Sequence, residues 1–81
     1  MKIEVAGPGC PRCGATAENV ARALKDLGLE DAVEKITDIN AMIDRGVLQS
    51  PALIINGTIV VQGKIPTVEQ VKQFIAKANN P

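Results

Sequence analysis

Two cysteines stand three positions apart in Cys10-Pro11-Arg12-Cys13, in a chain of 81 residues that has no histidine. Thiols at this spacing support two chemistries: exchange with disulfides through a thiolate nucleophile, or ligation of a soft metal ion such as Cu(I). The lack of histidine removes Cys/His and Ser/His/Asp catalysis and every His-containing metal site. A purely structural disulfide here would close so short a loop that it would constrain little of the unfolded chain.

The surroundings of the pair favour exchange. A helix beginning at this motif would aim unpaired backbone N–H groups and the positive end of its dipole at Cys10, favouring the thiolate. Cys13, one turn further in, would be more buried yet close enough to attack a mixed disulfide on Cys10. Position alone thus separates nucleophile from resolving thiol. Pro11 suits the first helical turn, because its φ is fixed there and its missing N–H is not needed. Arg12 sets a permanent positive charge beside the thiolate.

The elements that must hold the pair can be read along the chain. Residues 2–6, Lys-Ile-Glu-Val-Ala, alternate as a strand and run into the turn Gly7-Pro8-Gly9. Cys13, Ala17, Val20, Leu24 and Leu27 recur at helical spacing, and Gly28 suits the helix end. Residues 32–36 read as a strand. Asp38 can cap a short helix with Ile39, Met42 and Ile43 on its apolar side, ended by Gly46. Residues 52–55 and 58–61 are β-branched runs around Asn56-Gly57, a strong hairpin signal. Thr67 with Gln70 forms a capping-box pattern ahead of Val68, Val71, Ile75 and Ala78, and residues 79–81 read as frayed. The expected order is β-α-β-α-β-β-α in one α/β domain over residues 1–81, a mixed four-stranded sheet with helices on both faces.

Composition narrows the partners. Nine acidic and nine basic residues cancel, and Phe74 is the sole aromatic, so neither a basic footprint nor stacking platforms for nucleic acid exist. No apolar run approaches the ~20 residues of a membrane span, and the start lacks a signal-peptide core. The expectation is a cytoplasmic monomer without nucleic-acid or membrane partners.

Gly9-Cys10-Pro11-Arg12-Cys13 after the first strand, Ser50-Pro51-Ala52-Leu53 opening the third, Asn56-Gly57 in the hairpin and Gly63 before the last helix together resemble the small thioredoxin/glutaredoxin-like proteins of archaea and bacteria called redox-active disulfide proteins. The resemblance covers nearly the whole chain. It implies a minimal thioredoxin fold and thiol–disulfide oxidoreductase activity with no cofactor beyond a Cys10–Cys13 disulfide. Its partners would be disulfide-containing proteins and a reductase or low-molecular-weight thiol. It also implies that Pro51 is cis and lies against the dithiol, with Ser50 and Gly9 lending backbone to an extended substrate; without it, Pro51 would be an ordinary trans proline opening a strand.

Two positions depart from the better-known thioredoxins. Gly9 replaces the tryptophan before the nucleophile. Glu4 stands where those proteins carry a buried acid, but alternation with Ile3 and Val5 reads it as a solvated strand residue. Lys64 reads as a solvated turn residue, with attraction of a glutathione carboxylate as its functional alternative. The rival to the whole reading is a Cu(I)-binding module of the heavy-metal-domain type, whose order ends in a strand; a non-catalytic interaction domain is the third class.

Overall fold

The computed structural model describes residues 1–9 and 11–79, in the order β1 (Ile3–Ala6), α1 (Pro11–Asp26), β2 (Val33–Ile36), α2 (Ile39–Asp44), β3 (Ala52–Ile55), β4 (Thr58–Gln62) and α3 (Val68–Asn79). This is the expected α/β order. Cys10 and residues 80–81 lie outside the described set, and with them the expected nucleophile and most of the expected frayed end.

The four strands pair in the order β2-β1-β3-β4, with β1 parallel to β2 and antiparallel to β3, and β3 antiparallel to β4. Every residue of β1 and β3 is buried, as central strands covered on both faces must be. Alternation sorts their side chains. Ile3, Val5, Leu53 and Ile55 join Val20, Ala23 and Leu24 of α1 and Val71 and Ile75 of α3 in one core cluster. Ala6, Ala52 and Ile54 turn the other way, to Ile36 and Met42.

The β3–β4 connection has Asn56 at φ 52° and Gly57 at φ 83°, the paired positive angles of a type I′ hairpin. Asn56 also closes on β1, its Oδ1 accepting from Lys2 N at 2.9 Å and its N donating to Lys2 O at 2.8 Å. A register shift at Leu53/Ile54 bulges the pair, and β4 continues one residue beyond the expected end, to Gln62. The capping box forms in full: Gln70 N donates to Thr67 Oγ1 at 3.1 Å, and Thr67 N to Gln70 Oε1 at 3.0 Å.

Two helix faces differ from expectation. On α1 the buried set is Cys13, Thr16, Val20, Ala23 and Leu24, while Leu27 lies beyond the helix and is exposed. Asp38 caps α2 as expected, its carboxylate accepting from Ala41 N at 3.1 Å. Ile39 and Ile43, however, are 65% and 64% exposed, and Met42 alone is buried. A helix of six residues offers the sheet barely one inward position. Among the described residues, no helix is long and apolar enough to cross a membrane.

Candidate active site

The site gathers at the carboxyl end of β1, where a parallel strand hands the chain to its crossover helix. Pro11 is the first residue of α1, so the helix starts where the sequence places it. Cys13 lies in the first turn of α1 and is 7% exposed, matching the buried thiol expected at that position. Thr16 Oγ1 donates to Arg12 O at 3.0 Å and uses up a first-turn carbonyl.

Gly7 makes this packing possible. A Cβ on Gly7 would overlap Cys13 Sγ, would stand 3.0 Å from Cys13 Cβ and 3.8 Å from Ser50 Cβ. The strand end therefore passes directly under the thiol, with Ser50 at its other flank. The sequence marks Gly7 only as part of a turn; its use is close approach.

The Ser50–Pro51 peptide is cis, as the resemblance implied. Pro51 is buried, Ser50 half-buried, and Gly9 exposed with φ +91°. Gly7, Gly9, Cys13, Gly14, Lys35 and Thr37 line a cavity of about 130 Å³ beside the thiol. A larger hollow, of about 320 Å³, lies at the hairpin end of the sheet near Asn56 and Phe74, remote from Cys13. Lys64 is exposed on the turn after β4. Arg12 reaches across the site, its Nη2 donating to Gly63 O at 2.9 Å.

Glu4 overturns its expectation. It is 3% exposed, not solvated: Arg45 Nε donates to its Oε2 at 3.0 Å, and Arg45 Nη2 forms an ion pair with the same oxygen at 2.8 Å. Its face of β1 is the one α2 covers, and Arg45, at the end of α2, also donates from Nη1 to Ala41 O at 3.0 Å. The hydrogen bond that Arg45 donates to Glu4 holds the guanidinium above its ordinary pKa despite desolvation, so Arg45 stays cationic. Removing Arg45 would strand a buried carboxylate. Arg45→Ala is expected to shift the unfolding equilibrium toward the unfolded state by roughly tenfold or more, and the apolar pair Glu4→Leu/Arg45→Met to recover most of that loss. Chemical denaturation measures both; an Arg45→Ala variant as stable as the parent contradicts the assignment.

Among the described residues, no group of three or more Cys, Asp or Glu side chains is placed to hold a metal ion. Residues 1–76 match a family model described as a thioredoxin domain. The chain belongs to the thioredoxin family. Among its relatives, a thioredoxin of Methanocaldococcus jannaschii is 39% identical over 71 residues, covering 88% of this chain and 81% of that protein. A thioredoxin of Methanothermobacter thermautotrophicus is 29% identical over 76 residues, 94% of this chain and 99% of that one. A probable thioredoxin of Methanothermobacter marburgensis is 41% identical over 63 residues, 73% and 74% of the two chains. A thioredoxin-like redox function goes with this membership, and the β-α-β-α-β-β-α order ending in α3 agrees with it.

Proposed function

We propose that this thioredoxin-family protein is a thiol–disulfide oxidoreductase working through the dithiol Cys10-Pro11-Arg12-Cys13. The observation that supports this most is the packing of Cys13, in the first turn of α1, over Gly7 and beside the segment that carries Ser50 and the buried Pro51.

In the proposed cycle the Cys10 thiolate attacks one sulfur of a substrate disulfide. An S–S bond forms to Cys10, the substrate S–S bond breaks, and the first substrate thiolate leaves. Cys13 then loses its proton to solvent and attacks Cys10 sulfur, releasing the second substrate thiolate and leaving a Cys10–Cys13 disulfide. Two electrons pass to the substrate. A reductase or low-molecular-weight thiol returns them to the protein, and no other cofactor is needed.

Pro11 starts the helix whose N-terminal end favours the Cys10 thiolate, and Arg12 adds positive charge there. Ser50, Pro51 and Gly9 supply the backbone edge against which an extended disulfide-bearing segment would lie. The partners proposed are disulfide-containing proteins, met by a monomer in the cytoplasm.

Reduction of a protein disulfide such as that of insulin, with dithiothreitol as donor, tests the reading. The parent protein should accelerate the reaction over dithiothreitol alone, and Cys10→Ser should not. Equal rates with and without the parent protein would overturn it.

A further inference from the structure

The end of β4 lies between the two halves of the site and bonds to both. Gln62 Oε1 accepts from Leu48 N at 2.9 Å and from Gln49 N at 3.2 Å. Gly63 N donates to Pro51 O at 2.9 Å. These three bonds grip the segment leading into β3. On the opposite side, Gly63 O accepts from Arg12 Nη2 at 2.9 Å. The approach is tight: a Cβ on Gly63 would overlap the Gln49 carboxamide, and φ +75° suits only glycine there.

Among the described residues, no backbone–backbone hydrogen bond joins α1 to residues 47–51 or 62–66. The connection runs through side chains: Arg12, and one turn or more along, Asn19 Nδ2, which donates to Pro66 O at 2.8 Å. Two links in series therefore lead from the dithiol to the loop carrying Ser50 and Pro51. The first is Arg12 to Gly63. The second is Gln62, with Gly63 N, to residues 48–51.

We propose that Arg12 and Gln62 are positioning residues that set the width of the slot between the start of α1 and the Ser50–Pro51 segment, where an extended substrate enters. The proposal rests on the oxidoreductase reading of the dithiol. It gives Arg12 a role beyond charge, as an oriented donor to a carbonyl across the slot. It also gives Gln62, which touches no reacting atom, a part in substrate affinity. Because the links act in series, loosening either one lets the two walls shift relative to each other, while the Gly63 N–Pro51 O bond and the β3–β4 pairing remain in every variant.

The experiment is steady-state reduction of insulin by the parent protein, Arg12→Ala, Gln62→Ala, the double variant and Gln62→Glu, with thiolate absorbance followed against pH for each. Gln62→Ala changes no charge, yet is expected to raise KM about three- to tenfold, the range that loss of one or two hydrogen bonds gives, with kcat and the thiolate titration nearly unmoved. Arg12→Ala should raise KM by a similar factor, and the double variant no further than either single one. Gln62→Glu keeps the acceptor oxygen and should return KM to within about twofold of the parent. A Gln62→Ala variant with parental KM, a double variant whose effect is the product of the two, or no rescue by Gln62→Glu would overturn the proposal. Failure of the parent protein to reduce insulin would instead remove the reading on which it rests.

Discussion

Incubated with a disulfide-bonded protein, Cys13→Ser is expected to accumulate a covalent mixed disulfide through Cys10, and Cys10→Ser to accumulate none. The asymmetry follows from position. In the sequence Cys10 directly precedes Pro11, the first residue of α1, and on the proposed reading that helix end would favour its thiolate, whereas Cys13 is 7% exposed and covered by the chain at Gly7. A serine at position 13 cannot resolve the intermediate, because a hydroxyl at neutral pH does not displace a thiolate from a disulfide. Turnover in either variant should fall by roughly 10³-fold or more, as when a reacting nucleophile is removed elsewhere. Non-reducing electrophoresis followed by mass spectrometry identifies the linked cysteine. Trapping of equal extent by both variants would contradict the assignment of roles.

Gly7→Ala is the second change expected to have a large effect. Gly7 lies outside the positive-φ region, so the backbone itself accepts alanine. The cost is steric: the new methyl would occupy the place of Cys13 Sγ and press on Cys13 Cβ at 3.0 Å. Either α1 lifts off the strand end or the thiol swings from its site. Overpacking of this kind costs about 1–3 kcal/mol, and the displaced atom is one of the two sulfurs proposed to react, so activity should fall further than stability. Gly14 is the control, since a Cβ there would meet nothing within 4 Å. As a control on stability, Gly14→Ala, exposed in α1, should raise it by roughly 0.5–1 kcal/mol. Cys13→Ala in the Gly7→Ala background removes the clashing sulfur and should restore much of the lost stability. Urea denaturation and insulin reduction measure these effects side by side; a Gly7→Ala protein with parental stability and turnover would show that the contact under Cys13 is not as tight as the geometry states.

What the sequence reveals about this molecule is mostly what local chemistry dictates. The hairpin at Asn56-Gly57 needs two consecutive positive φ angles, which few dipeptides supply, and the Thr67/Gln70 box is a bond between neighbours. Such features are legible because cause and effect lie within a few residues. On α2, helical spacing groups Ile39 and Ile43 with Met42 on one apolar side, but only Met42 is buried. Alternation places Glu4 on the opposite side of β1 from Ile3 and Val5, which is correct, but the opposite side is not solvent. That face is covered by α2, and the cation that makes burial of a carboxylate tolerable is Arg45, 41 positions away.

The site divides in the same manner. Cys13 and Pro11 stand where their residue types require, and Pro51 is cis as the family resemblance implied. Gly7 and Gln62 were not found. Nothing in a Gly-Pro-Gly turn distinguishes a glycine required for bending from one required for the approach of a sulfur. A glutamine ending an edge strand has no local mark of the two N–H groups that it receives from another segment. The sequence marks Arg12 for its charge, but the bond it makes, to Gly63 O 51 positions later, is a property of the folded chain alone.

The central claim, that Cys10 and Cys13 form one exchangeable redox couple, is tested most directly by equilibrating the protein with glutathione buffers of graded potential and counting free thiols by alkylation and mass, beside a titration of the reduced protein with Cu(I) and Zn(II). The two thiols should disappear together, as a single two-electron couple with a tenfold change in ratio per about 30 mV. Two thiols that remain reduced across the series, or that react with glutathione independently, while the pair takes up Cu(I) with defined stoichiometry, would contradict the claim and leave the motif a metal clip.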